Sequence, residues 1–190
     1  DEILSQWQAS FDNTFGGPNR APKFMMPNTI SYLLRKAKQS KDTGLLQYVT
    51  TTLNKMAYGG IYDHIGGGFS RYSVDKKWHV PHFEKMLYDN AQMVSLYSNA
   101  YLATKDNLYK EVVTQTLAFV ARECTNSEGA FYSSFDADSL TQDGVLEEGA
   151  YYVFTKEELT KELGEDVELF STYYNINSFG LWENNHYVLI

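Results

Sequence analysis

The chain has 190 residues, 43% hydrophobic and 21% charged, proportions that suit a globular core under a soluble surface. Its formal net charge of −8 argues against a nucleic-acid partner, because such binding rests on Lys and Arg neutralising phosphates. The single cysteine, Cys124, excludes an intrachain disulfide framework, and no stretch approaches the ~20 apolar residues of a membrane-spanning helix.

Residues 1–13 place Ile3, Leu4, Trp7 and Phe11 at helical spacing, and Phe15-Gly16-Gly17-Pro18 ends that helix. No signal-peptide pattern opens the chain, so a cytoplasmic location is expected. The chain starts in mid-helix, and the true N-terminus is expected upstream. Pro27 or Asn28 opens a second helix with Ile30, Leu33, Leu34 and Ala37 as its apolar stripe. Its Arg35, Lys36 and Lys38 read as a solvated face. Asp42 or Thr43 caps a third helix, bearing Leu45, Leu46, Val49, Leu53, Met56 and Ala57. That helix is expected to stop at Gly59-Gly60 in the left-handed conformation common after helix C-termini.

A long glycine-containing loop follows, with a short hairpin expected around residues 68–74. Pro81 is expected to open the fourth helix, which runs to Thr104 with Phe83, Met86, Leu87, Asn90, Val94, Tyr97 and Tyr101 on one face. Asp106 caps a fifth, where Tyr109, Val112, Val113, Thr116, Leu117 and Val120 lie in register with Cys124, read as a buried structural thiol. The period then changes. Residues 130–135 and 150–154 are short aromatic stretches flanking a polar turn, and they predict a β-hairpin. Thr155-Lys156-Glu157-Glu158 is a capping-box signature for a sixth helix, and another short helix is expected over 166–174. The fold expected from these elements is mainly α, built from stacked αα-hairpins with a β-hairpin insertion.

The chemistry concentrates in residues 59–92, GGIYDHIGGGFSRYSVDKKWHVPHFEKMLYDNAQ, where Asp63, His64, Arg71, Trp78, His79, His82 and Glu84 lie on a long loop running into a helix. His79 and His82 form H-x-x-H, one residue short of the zinc-peptidase spacing and interrupted by Pro81, so no metal is expected. Proton transfer fits these groups better, since His titrates near neutral pH and a carboxylate orients it. On the expected helix His82 and Asp89 share a face; the alternative makes these residues capping and packing groups. Asp63-His64 reads either as a carboxylate–imidazole pair or as a turn. Arg71 and Trp78 either clamp and stack a polar ligand or brace the loop through a cation–π contact. Asp136, Asp138 and Glu147 match part of an EF-hand calcium loop, but Leu140 and Thr141 stand where a ligand and a glycine are needed. They read better as a carboxylate-lined loop over a cleft, or as an exposed acidic hairpin. No dinucleotide fingerprint or P-loop is present, and no cofactor is expected.

The APKF block at 21–24, the central block of 59–92, FDADS at 135–139 and EEGAYYVFT at 147–155 together resemble the thioredoxin-domain-containing YyaL/spermatogenesis-associated protein 20 family over essentially the whole chain. That resemblance implies a helical toroid similar to the (α/α)6 barrels of N-acylglucosamine 2-epimerases and six-hairpin glycosidases. It further implies that residues 1–190 are part of such a toroid, without the thioredoxin-like domain and the remaining hairpins. The chain has no C-x-x-C. Fold resemblance alone does not establish an activity, but it points to a small-molecule substrate, a sugar. The expected reading is a sugar isomerase or epimerase, with His82 transferring protons and Glu84 or Asp63 as partner. His79 is a second candidate acid–base group. Trp78 would be a stacking wall and Arg71 a clamp on hydroxyl or carbonyl, with Asp89, Asp136 and Asp138 holding hydroxyls. The alternatives are a non-catalytic binding or scaffold domain and a glycoside hydrolase using Asp63 with Asp136 or Asp138. A part-barrel would also expose apolar edges, so self-association is expected.

Overall fold

The computed structural model describes residues 2–141 and 143–190. The side chains of Glu2 and Ile3, and with them the expected place of Ile3 on the first apolar stripe, lie outside the description. Helix α1 (Glu2–Gln8) is shorter than its apolar spacing predicts. Phe11 pairs with Pro18, and Asp12 Oδ1 accepts from the backbone N–H groups of Thr14 and Phe15, which turns the chain out of the helix. Helix α2 (Pro27–Ser40) begins at its proline and buries the expected stripe of Ile30, Leu33, Leu34 and Ala37. In α3 (Thr43–Ala57) the Asp42 side chain accepts from the Leu45 N–H at 2.9 Å, an N-cap read correctly from sequence.

The end of α3 departs from expectation. Tyr58 closes it in the right-handed region, and neither Gly59 nor Gly60 has a positive φ. These glycines are required for space: a Cβ on Gly59 would stand 2.5 Å from the Trp78 carbonyl oxygen, and one on Gly60 would run into the His79 carbonyl.

Helix α4 (Leu87–Thr104) starts later than Pro81, contrary to expectation. The segment before it is extended. Strand β1 (Lys23–Phe24), β2 (Tyr72–Ser73) and β3 (Pro81–His82) form a small antiparallel sheet in that order, and β4 (Lys85–Met86) pairs with β5 (Ser134–Phe135). The backbone groups of 81–82 and 85–86 are thus committed to ladders, and the Glu84 carbonyl accepts from the Arg71 N–H at 2.9 Å, which leaves the segment unavailable to a helix. Pro81 fits because β3 is an edge strand, where a missing N–H costs no ladder bond. The expected hairpin at 68–74 is replaced by this three-stranded arrangement.

Helix α5 (Asn107–Glu123) is capped by Asp106 as expected, but its buried face is rotated. Phe119 is buried and Leu117 is 51% exposed. Helices α2 and α3, α2 and α4, and α4 and α5 pack pairwise around one core that includes Leu33, Val49, Leu53, Ile61, Phe69 and Tyr97. Each such fully buried side chain contributes about 1.5–3 kcal/mol. Tyr97 satisfies its hydroxyl by donating to the Leu53 carbonyl at 2.7 Å.

Beyond α5 the expected pairing of 130–135 with 150–154 does not form. Instead β6 (Asp138–Leu140) and β7 (Leu146–Glu148) make the hairpin, and β8 (Val153–Phe154) pairs with β9 (Tyr187–Val188). Thr155 and Glu158 make the predicted capping box for α6 (Lys156–Leu163), and α7 (Val167–Tyr173) follows. No helix among the described residues is long and apolar enough to cross a membrane.

Candidate functional site

Asp63 organises the glycine loop. Its Oδ1 accepts from the Ile65 N–H at 3.0 Å and the Gly66 N–H at 2.7 Å, and its Oδ2 accepts from Lys85 Nζ at 2.8 Å. Lys85 lies on β4 with its side chain only 2% exposed, and it donates a second bond to the Gly67 carbonyl at 3.0 Å. Its ammonium stands 4.6 Å from the Phe119 ring centre and 4.7 Å from that of Tyr152. Burial pulls the Lys85 pKa down, and Asp63 opposes that shift. A buried ammonium is tolerated only when paired, so Lys85 and Asp63 hold each other in place. Asp63 therefore pairs with Lys85 and not with the adjacent His64.

Two cavities share this pair as a wall. One, of about 320 Å³, is lined mostly by apolar side chains, including Ile65, Phe83, Phe154 and Leu189, with His64 at its edge. The other, of about 250 Å³, is mixed, with Arg122, Glu123, Asp136, Asp138 and Ser139 in its wall beside Phe119 and Phe135. Asp63, Gly66, Lys85, Tyr151 and Tyr152 border both. A larger cavity of about 1020 Å³ opens on the other side of His64 and reaches His79, Glu111, Gln115 and Tyr173.

The expected catalytic residues are distributed around this frame. His82 lies on β3, not on a helix, so it does not share a helix face with Asp89. Its Nδ1 donates to Glu148 Oε1 at 2.9 Å, and its ring stacks on Tyr72 at 4.9 Å. In the neutral ring this leaves Nε2 as a bare acceptor. The expected partner Glu84 instead accepts from Arg71 at 3.2 Å, and Arg71 lies 5.9 Å from the Tyr88 ring. Asp89 is in the first turn of α4; its buried Oδ2 has no hydrogen-bond partner among the described residues. Burial raises its pKa, and Arg71 works against that shift. Arg71, His82, Glu84 and Asp89 line none of the three cavities.

His79 and His64 are both held by backbone carbonyls, His79 Nε2 by Gly180 at 3.3 Å and His64 Nε2 by Gly59 at 3.1 Å. A carbonyl only accepts, so both rings carry their proton on Nε2. Burial lowers both pKa values and favours the neutral imidazoles.

Trp78 is not available as a stacking wall. It is fully buried, its Nε1 donates to the Phe15 carbonyl at 2.8 Å, and Lys23 Nζ lies 5.2 Å from its ring centre. The brace is therefore made with Lys23 and not with Arg71. Asp136 Oδ1 accepts from the Asp138 N–H at 3.1 Å, and Asp138 faces Glu148 across the β6–β7 ladder. Of the expected site residues the fold thus gathers Asp63, Asp136 and Asp138 around one cavity. Among the described residues, no group of three or more His, Cys, Asp or Glu is placed to hold a metal ion. Lys85 and Tyr152 went unassigned in the sequence. The available signal was a lysine inside the otherwise apolar run Phe83 to Leu87, interrupted only by Glu84.

The helical hairpins and their long connections define part of an (α/α)6 barrel of the sugar-epimerase type. The cellobiose 2-epimerase from Bacillus thermoamylovorans B4167 matches with a TM-score of 0.62 at 16% identity, over 95% of this chain and 54% of that one. A sugar epimerase from a ruminal bacterium also matches with a TM-score of 0.62 at 16% identity, over 70% of this chain and 37% of that one. At these identities the likeness is one of fold.

In sequence the chain is a homologue of the spermatogenesis-associated protein 20 family. It is 44% identical over 172 residues to spermatogenesis-associated protein 20 of Homo sapiens, covering 88% of this chain. The Mus musculus protein of the same name is 42% identical over 169 residues. The chain spans only about a fifth of these relatives, 22% and 21% of their lengths. No family model matches it.

Proposed function

We propose that this chain supplies the sugar-binding wall of a carbohydrate-active barrel whose reaction is of the isomerase or epimerase type. The observation that carries the reading is the mixed cavity, where Asp136, Asp138 and Arg122 meet Tyr151, Tyr152 and the Lys85–Asp63 pair on a fold shared with sugar epimerases. Carboxylates and a guanidinium bind hydroxyls by hydrogen bonds, and tyrosine faces stack on the apolar side of a pyranose. The proton-transfer group we assign is His82, outside the cavity lining but bonded to Glu148, the cross-strand neighbour of Asp138, with Glu148 in the partner role expected of Glu84. Glu148 fixes the tautomer and leaves Nε2 to take a proton from a carbon next to a carbonyl. It lies on the strand paired with Asp138.

The test is solvent exchange. The full-length protein is incubated in D2O with mono- and disaccharides, and deuterium at the carbon next to the anomeric centre is read by NMR. Incorporation that His82→Ala abolishes, with the melting temperature nearly unchanged, supports the reading. No incorporation with any sugar tested counts against it.

A scaffold role without catalysis is the second reading. The closure of the charged groups on one another, Asp63 with Lys85 and Arg71 with Glu84, favours it. Under it, His82→Ala lowers the melting temperature through lost contacts to Tyr72 and Glu148 and changes no reaction.

A further inference from the structure

Strands β6 and β7 form a ribbon with little packed against it. Among the described residues each has only the other as a ladder partner, all of β7 is exposed, and on β6 only Ser139 is half-buried. A lone two-stranded ribbon is marginally stable in water, so its position depends on what holds it. The base is fixed: Ala137 and Gly149 are buried, the Gly149 N–H donates to the Ala137 carbonyl at 2.9 Å, and a Cβ on Gly149 would run into the Phe83 ring. Beyond the base, the bond that reaches another strand runs from His82 Nδ1 to Glu148 Oε1, and both side chains are partly exposed.

Asp138 and Glu148 are direct partners in the ladder, so their side chains leave the ribbon on one face. Two carboxylates placed opposite each other repel and loosen the pairing. Their surroundings differ. Asp138 is in the wall of the mixed cavity, with Arg122 and the Lys85–Asp63 pair in the same lining, whereas Glu148 is bonded to His82. We propose that the ribbon is a flap that couples occupancy of the mixed cavity to the tautomer of His82. A sugar hydroxyl donating to Asp138 disperses its charge, relieves the repulsion on Glu148 and holds the ribbon docked. Docked, Glu148 keeps the imidazole proton on Nδ1 and leaves Nε2 as the base; with the ribbon undocked, His82 loses that constraint. Asp138 and Glu148 are then positioning residues, and one rung of the ladder links the cavity wall to a His82 that stands outside it. The inference rests on the sugar-binding reading above and adds the regulation of that site.

The experiment is amide hydrogen exchange of the full-length protein, read by mass spectrometry over β6 and β7 with α4 as the reference, with and without excess glucose, mannose or their disaccharides. Ribbon amides are expected to exchange faster than those of α4. His82→Ala is expected to speed them further, by up to about fivefold as for a partly exposed ion pair, and to leave α4 unchanged. Asp138→Asn removes the repulsion at constant size and is expected to slow them by a similar factor without sugar. A sugar that takes up deuterium in the NMR test is expected to slow the ribbon in the parent protein and to add little in Asp138→Asn. Glu148→Ala is expected to lower the rate of deuterium uptake without changing the sugar concentration at half-maximal rate. Glu148→Gln, whose amide oxygen still accepts from Nδ1, is expected to restore much of that rate. Unchanged ribbon exchange in His82→Ala overturns the inference, as does a sugar that takes up deuterium while the ribbon exchanges as before; both leave the sugar reading standing. Ribbon exchange that responds to the variants, with no sugar altering it or taking up deuterium, overturns the sugar reading and the coupling with it.

Discussion

Lys85 and Asp63 form a buried ion pair, 2.8 Å between Nζ and Oδ2, that ties the strand before α4 to the glycine loop. Asp63 also accepts two backbone N–H groups of that loop, so one carboxylate sets both the loop conformation and the position of the ammonium. Breaking such a pair strands a charge, at a cost of about 3–5 kcal/mol. Asp63→Ala is expected to lower the unfolding free energy by about that amount. Lys85→Met is expected to cost less, because Asp63 keeps its backbone donors. The double variant is expected to be more stable than the two single losses predict, by roughly 1 kcal/mol or more, as for contacting residues. Urea unfolding midpoints measure all three; additive losses would mean the two groups act independently.

Trp78 provides a separate check on what this region does. Truncating a buried aromatic side chain costs about 3–5 kcal/mol, so Trp78→Ala is expected to destabilise the fold by that much. Trp78→Phe keeps most of the volume but strands the Phe15 carbonyl, which adds about 1–3 kcal/mol of desolvation. Trp78→Phe protein that remains folded is expected to bind glycosides as the parent does. A loss of sugar affinity at full stability would restore the stacking role to Trp78.

Acid sensitivity follows from His64 and His79. Burial depresses both folded pKa values below the ordinary 6.5. The unfolded chain therefore binds more protons between the folded values and 6.5, and stability rises with pH across that window. It is fully present above 6.5 and declines as pH falls through the window. Unfolding midpoints measured from pH 8 down to 5 are expected to fall below about pH 6.5, and His64→Gln is expected to flatten the decline. An identical slope in His64→Gln would remove His64 from the explanation.

Gly68 sits at φ 84°, and a Cβ there would stand 2.6 Å from Phe119 Cδ1. Gly68→Ala combines left-handed strain of about 1–3 kcal/mol with displacement of the ring that faces Lys85. It is expected to destabilise the protein and to weaken ligand binding together. Gly144, at φ 78° with nothing near its Cβ, provides the control. Gly144→Ala is expected to carry the strain alone and to leave binding unchanged.

The large cavity exposes apolar side chains at its rim, with Tyr173 73% and Phe179 59% accessible. The isolated 190-residue chain is expected to self-associate in light scattering at micromolar concentration, and Phe179→Asp to shift it toward monomer. A stable monomer at all concentrations would show that this face needs no cover.

The sequence alone determined that helices dominate the chain, but not where α1 ends or α4 begins. Apolar spacing placed α2 through α5, and the caps at Asp42, Asp106 and Thr155 with Glu158 are local hydrogen bonds that neighbouring residues make without help from the rest of the chain. The quoted blocks also carried the family and its barrel, and the fold agrees with both. Only the tertiary structure decided the conformation of residues 81–86, because their strand partners at 72–73 and 134–135 outweigh a proline's local preference for a helix start. It also decided the ion pairs. Asp63 reaches Lys85 across 22 residues and His82 reaches Glu148 across 66, while the adjacent His64 and the nearby Glu84 go elsewhere. Trp78 shows the same limit: its composition suits a ligand wall or a core equally, and burial against Phe15 and Lys23 settles it for the core. Helix formation and capping are short-range and leave their mark in residue spacing. Charge pairing and strand pairing are set by which distant segments the core brings together.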